Sequence, residues 1–299
     1  MIASRKSIKG RVFTLLLFLQ AALIVTGGAV RLTGSGLGCP TWPECTPGSY
    51  TPVPHQAQGQ LHAWIEFGNR LLTFVLFFTA IAAFILSVRI SKNLINKNRL
   101  RLLALLQILG IFGQAILGGI TVLTNLNPIP VAWHYLLSIV LITGAIKLRY
   151  EVVGNEKQSV SPLLQTLIRI QVTLTILILM VGTVVTGSGP HAGDLKAKRF
   201  GFDPQIVSWF HADLVIALTI FVFVTFLLLK DMPGPLKKMT LIFLLVILSQ
   251  GAIGYIQYFT GLPELIVGVH LLGSTLVWIT AWSLFEIIGI KLISGKAAK

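Results

Sequence analysis

Charged side chains are scarce in this chain. Asp, Glu, Lys and Arg make up 11% of its 299 residues, and acidic residues number only 10. Hydrophobic residues make up 54%, and mean hydropathy is +0.82. A soluble protein of this size has too little polar surface to cover so much apolar material. The shortage of charge therefore excludes a water-soluble globule and points to a chain that crosses a membrane repeatedly. Cysteine is scarcer still: Cys39 and Cys45 are the only two. Two thiols with no neighbouring His pair do not complete a tetrahedral zinc site. They bracket PTWPE, and that spacing allows a disulfide in an oxidising exterior. Such a bond is either a structural staple or a pair that exchanges with a thiol partner. The first apolar run also lacks a small-residue cleavage site. It continues into GGAVRLTGSG, so we read it as a helix and not as a signal peptide.

What is present are eight apolar stretches, roughly 12–30, 65–88, 101–123, 130–148, 163–186, 206–229, 238–259 and 265–290. Each is long enough to cross a bilayer as a helix that satisfies its own backbone. The net charge of +14 invites a nucleic-acid reading, but its distribution argues for no nucleic-acid partner. Basic clusters fall before the first stretch (Arg5, Lys6, Lys9, Arg11) and after the second (Arg89, Lys92, Lys97, Arg99, Arg101). Others are Lys147, Arg149 and Lys157; Lys230, Lys237 and Lys238; and Lys291, Lys296 and Lys299. With eight alternating crossings these share one side, which the positive-inside rule makes cytoplasmic together with both termini. Arg31, Arg70, Lys196, Lys198 and Arg199 fall on the other side.

The chain repeats itself. Gln114 to Ser138 align without a gap against Gln250 to Ser274. VRLTGSGLG after the first stretch resembles VVTGSGPHAG after the fifth, and LHAWIE resembles FHADLV. Four helices per half give both halves the same orientation, related by an axis along the membrane normal. The sequence thus predicts an all-α, polytopic membrane protein of two pseudo-symmetric four-helix bundles. They cover residues 1–155 and 156–299, joined by a polar linker near Glu151–Ser161. Each half carries two histidines, His62 and His134 in the first, His211 and His270 in the second. All four lie near the extracytoplasmic start of an even-numbered stretch. A single His there is ordinarily an interfacial hydrogen-bonding residue. Four at one depth, two per half, form the pattern that ligates heme iron from both sides. His55 and His191 fall in loops and are read as surface residues.

Glu66 follows His62 by one helical turn, so both share a face. With Asn69 and Arg70 it makes a polar cluster inside an apolar helix. One reading is a buried Glu66–Arg70 ion pair that holds helices together. The other makes Glu66 a catalytic, proton-handling group beside a redox centre. The second half has Val215, Leu218 and Thr219 at the matching positions. That asymmetry places a reactive site in the first half and a fixed cofactor in the second.

The string GGAVRLTGSGLGCPTWPEC followed by HAWIEFGNR, with single histidines in the fourth and eighth stretches, resembles the heme A synthases over most of the chain. The resemblance implies an enzyme that oxidises the C8 methyl of heme O to a formyl group by successive hydroxylations, for cytochrome oxidase assembly. It implies a heme b cofactor on His211 and His270, and heme O as substrate near His62, His134 and Glu66. Arg31 and Arg70 are then candidate partners of the heme propionates. Implied partners are membrane lipid, a heme O synthase and an electron donor, and pairing with a second copy stays open. The implied location is the bacterial plasma membrane, with the heme sites toward the extracytoplasmic side. The chain departs from the pattern at Asn69, where many relatives have His, at Leu218, and at GSGPHAGD, which lacks a cysteine pair. A di-heme electron-transfer protein of the cytochrome b kind is the alternative. It needs neither Glu66 nor the cysteine loop. A transporter would need a polar path at the midplane.

Overall fold

In lipid no water is available to the backbone, so an apolar run closes its hydrogen bonds within itself as a helix. The computed structural model describes residues 8–90, 97–154 and 157–289. Among the described residues there are eight helices, all long and apolar enough to span a membrane, and the chain is an all-α polytopic membrane protein. They are α1 (Ile8–Leu32), α2 (Gln60–Ile90), α3 (Lys97–Leu123), α4 (Pro128–Val153), α5 (Pro162–Ser188), α6 (Pro204–Leu228), α7 (Pro235–Phe259) and α8 (Glu264–Ile287). Most outrun the apolar stretches that announce them. Hydropathy marks only the lipid-embedded part, and a helix continues into polar residues until a cap or turn stops it. After α8 the chain instead becomes extended. Ile288–Gly289 (β2) pairs in parallel with Gln158–Ser159 (β1), so this segment meets the linker between the halves. Arg5, Lys6, Lys92, Lys291, Lys296 and Lys299 lie outside the described residues. So do Asn155 and Glu156, where the sequence places the boundary between the halves.

Local chemistry sets the helix starts. α4, α5, α6 and α7 begin with proline, whose missing N–H costs nothing in a first turn. The side chains of Asn127, Ser161 and Asp203 cap the first turns of α4, α5 and α6. The repeat extends to backbone conformation. Asn125 and Leu126, between α3 and α4, have φ of 51° and 59°. Their matches Gly261 and Leu262, between α7 and α8, have 78° and 61°. The Leu126 N–H reaches the Thr121 carbonyl at 2.8 Å, and the Leu262 N–H reaches that of Gln257 at 2.7 Å.

Within each half the helices pack in a ring. α1 touches α2 and α4, and α3 closes the circuit; α5 to α8 do the same. The ring puts the His-bearing helices, α2 with α4 and α6 with α8, at diagonal corners. Each half has its own core. Phe13, Leu16, Ala80, Ala83 and Leu100 centre the first, and Ile168, Leu218, Val222, Phe243 and Leu284 the second. A third cluster joins the halves through α4 and α8, with Ile139, Ile142, Ile146 and Trp278 at its middle. Trp278 is 3% exposed, and its Nε1–H donates to the Ile139 carbonyl at 3.1 Å and to Thr143 Oγ1 at 3.0 Å. Tyr135 and Ser274 add a hydroxyl pair at 3.1 Å across the same seam.

Trp278→Ala should therefore loosen one half from the other. Its expected cost is about 3–5 kcal/mol from the cavity, against roughly 1–2 kcal/mol for Trp278→Phe, which mainly loses the donor. Reversible unfolding in detergent measures both. Equal, negligible losses would show that this seam does not hold the halves.

Candidate functional site

A buried carboxylate needs its charge matched. Among the described residues, Glu66 is the only charged side chain in the buried class, at 6% exposed. Both of its oxygens are engaged. Oε1 accepts from Arg70 at 2.7 Å, one turn along α2, and Oε2 accepts the backbone N–H of Cys39 at 2.7 Å. Arg70 also turns both of its Nη groups on the loop between α1 and α2. Nη2 reaches the carbonyls of Cys39 and Thr41, both at 3.1 Å. Nη1 reaches those of Glu44 at 3.2 Å and Pro43 at 3.4 Å. The loop is closed by a Cys39–Cys45 disulfide, and both half-cystines are fully buried. Gln56 is buried beneath it, donating to the Gly38 carbonyl and approaching Cys45 Sγ at 3.9 Å. Gly38 lies directly on α2: a Cβ there would stand 2.3 Å from the His62 carbonyl oxygen and 2.8 Å from the Ala63 nitrogen. Trp42 covers Gly119 of α3 in the same way, with ring atoms 2.6–2.9 Å from a Cβ built there. The loop is thus a fitted lid over the end of the first bundle where α2 begins.

Three of the four helix histidines share one environment. His134, His211 and His270 each bury Nδ1 without a hydrogen-bond partner. His211 lies near the Ile178 carbonyl without the alignment of a hydrogen bond. Each ring sets its Cε1 edge against a glycine of the preceding helix. The glycines are Gly118 on α3, Gly182 on α5 and Gly254 on α7, where a Cβ would lie 3.4, 3.4 and 3.5 Å away. His62 differs, because its Nδ1 lies 2.8 Å from Ser35 Oγ. Among the described residues no three His, Cys, Asp or Glu side chains converge to hold a metal. Heme needs only two ring nitrogens, since the porphyrin supplies the other donors. Each glycine lets a ring edge pack close to the backbone of the preceding helix, and an orphaned buried ring nitrogen is a common sign of a missing partner. The residues present fit heme.

The fold gives the remaining residues singled out in the sequence structural partners. Arg31 donates through Nε to the His191 carbonyl and through Nη2 to that of Thr186 at 2.6 Å, tying α1 to the loop of the other half. Arg70 is fixed on its own loop. His55 alone is exposed. His191 is not the free surface residue that its place in a loop suggests. Its Nε2 bonds the Leu262 carbonyl at 2.8 Å, because the α5–α6 loop folds down onto the α7–α8 turn. Asn69 accepts from Thr26 Oγ1 at 2.7 Å, and Leu218 is core. Sequence reasoning gave no role to Ser35, Thr33 or Gln56. The TGSG string repeated in both halves was the signal for the first two. Gln56 carries none.

Residues 10–193 match the family described as cytochrome oxidase assembly protein (COX15-CtaA). The heme A synthase of Geobacillus kaustophilus (strain HTA426) is 34% identical over 105 residues, 35% of this chain and 30% of that protein. That of Lysinibacillus sphaericus (strain C3-41) is 30% identical over 115 residues, 38% of this chain and 35% of that protein. That of Geobacillus thermodenitrificans is 28% identical over 105 residues, again 30% of its length. The aligned stretches thus span only about a third of these relatives. His211 and His270 lie beyond the family match and connect to it through the internal repeat.

Gly38→Ala tests the seating of the lid. Its Cβ meets backbone, which cannot rotate away, so the loop must lift from α2. Faster proteolysis at the loop with the helices still assembled is the expected result, and unchanged protection would mean that the loop tolerates the shift. Arg70→Ala should cost more, on the order of 3–5 kcal/mol, because it strands the Glu66 charge.

Proposed function

Because this chain belongs to the cytochrome oxidase assembly protein family, we propose that it is a heme A synthase, a membrane oxidoreductase converting the C8 methyl group of heme O to a formyl group. The observation that carries the reading is the paired histidines on diagonal helices of two bundles, three of them set against a glycine with Nδ1 unpartnered, and only one bundle having the Glu66–Arg70–disulfide lid. The relatives named heme A synthase support the same reading. His62 and His134 hold the substrate heme in the first half. His211 and His270 hold a heme b cofactor in the second, where no lid or buried carboxylate accompanies them. The bound heme b supplies electron transfer between substrate and an outside partner. Two hydroxylations of the methyl carbon followed by loss of water would give the aldehyde, a net gain of one oxygen atom and, counting that oxygen as taken from one water, a net loss of four electrons and four protons, with the electrons passing to an external acceptor.

The chain's own groups do the rest. The lid keeps bulk water from the outer end of the first bundle, where it would otherwise weaken every electrostatic contact. Glu66 is one turn from His62 and is the carboxylate placed to take a proton as the methyl is oxidised, with Arg70 balancing its charge. Among the described residues Arg31 Nη1 and Arg70 Nε have no hydrogen-bond partner and are the donors left for substrate carboxylates. A pure electron carrier has no need of these features. The basic helix ends, with Arg89, Arg99, Arg101, Arg149 and Lys238, support a cytoplasmic position for both termini and an outward-facing lid. An electron-transfer partner and a heme O synthase are the implied partners.

Co-expression with a source of heme O, followed by extraction and chromatography of the hemes, tests the activity. Heme A should appear, and heme O alone would overturn the reading in favour of a di-heme electron carrier. Glu66→Gln should lower conversion on the order of 10²-fold while heme b content stays unchanged. His270→Ala should instead remove the low-spin heme b spectrum. Normal heme A yield from the Gln variant would leave Glu66 as an ion-pair partner only.

A further inference from the structure

Hydrogen bonds have direction, and at His62 the direction is forced. Thr33 Oγ1 lies 2.8 Å from the Ala29 carbonyl, Ser35 Oγ lies 2.8 Å from Thr33 Oγ1, and His62 Nδ1 lies 2.8 Å from Ser35 Oγ. A carbonyl only accepts, so the first contact uses the one hydroxyl proton of Thr33. Thr33 then accepts from Ser35, which uses the one proton of Ser35. Ser35 can then only accept, and the proton in the third contact belongs to the ring. Any other assignment leaves two lone pairs facing each other at 2.8 Å.

We propose that Thr33 and Ser35 are positioning residues for His62: their hydroxyls form a one-way chain that fixes the ring proton on Nδ1 and leaves the Nε2 lone pair free to bind iron. The metal half of this statement rests on the function proposed above; the tautomer does not. Partners of this kind orient a ligating imidazole and decide which nitrogen is available.

The second half shows what happens without the chain. Thr186 matches Thr33 and bonds the Gly182 carbonyl at 2.8 Å, as Thr33 bonds that of Ala29. Ser188 matches Ser35, yet it donates to the Val184 carbonyl at 2.9 Å, and His211 Nδ1 has no partner. The cause is where the helix stops. α5 runs through Ser188, so that hydroxyl falls back on its own helix. α1 stops at Leu32, Gly34 turns the chain at φ +68°, and the fully buried Ser35 is released to face α2. The tautomer is set by sequence position at the substrate side alone.

Nitrogen-15 spectra of the histidine-labelled full chain in lipid nanodiscs, made without a heme O source, read the tautomer directly. Comparison with His62→Gln assigns the signal. We expect the unaltered protein to carry the His62 proton on Nδ1. Thr33→Val removes the acceptor of Ser35, so the Ser35 proton turns to the ring and the ring proton moves to Nε2. Thr33→Ser restores the original state, and Thr186→Val leaves His62 unchanged. Heme titration of the first-half site should weaken about 10–100-fold in Ser35→Ala. A His62 proton on Nε2 in the unaltered protein, or on Nδ1 in a folded Thr33→Val, overturns the tautomer assignment. Undiminished heme affinity in Ser35→Ala overturns the positioning role. Neither result depends on whether heme A is made, so a failed conversion assay would count against the enzyme reading alone.

Discussion

A single buried carboxylate organises the end of the first bundle where α2 begins. Glu66 cannot remain charged inside an apolar helix without a cation, and Arg70 one turn away supplies it. A guanidinium has more donors than one carboxylate can use, and donors left bare under a protein lid are costly. They are met by the carbonyls of Cys39, Thr41, Pro43 and Glu44, which only a tightly folded loop brings to one place. The disulfide closes that loop and Gly38 lets it touch the backbone of α2. Charge neutralisation, loop shape and cover over His62 are one coupled arrangement. The ion pair and the reactive group therefore need not be rival readings of Glu66, since a carboxylate held this firmly is also one held in a fixed place.

Duplication explains the rest of the architecture, and divergence explains its use. The two halves keep the same left-handed turns, the same ring of four helices, and glycines against histidine edges. They differ in where the first helix of each half ends and in the loop that leaves it. In the first half a short α1 releases Ser35 and a long loop that returns onto α2. In the second half a longer α5 keeps Ser188 to itself. Its loop is devoted to joining elements, through His191 to Leu262 and through its carbonyls to Arg31.

Much of this was legible in the residues. Hydropathy marks eight crossings because lipid permits few alternatives to a helix. The repeat marks two rings of four helices. The Glu66–Arg70 spacing marks an ion pair, because residues four apart on a helix are neighbours. These are local or periodic properties, and sequence carries them directly. Tertiary structure alone decided the rest. That His-bearing helices stand at diagonal corners, that Arg70 grips four loop carbonyls, that His191 is tied down, and that Ser35 rather than Ser188 reaches a histidine all depend on contacts between segments far apart in the chain. Such contacts are set by how loops close and where helices stop, and no spacing along the sequence encodes them.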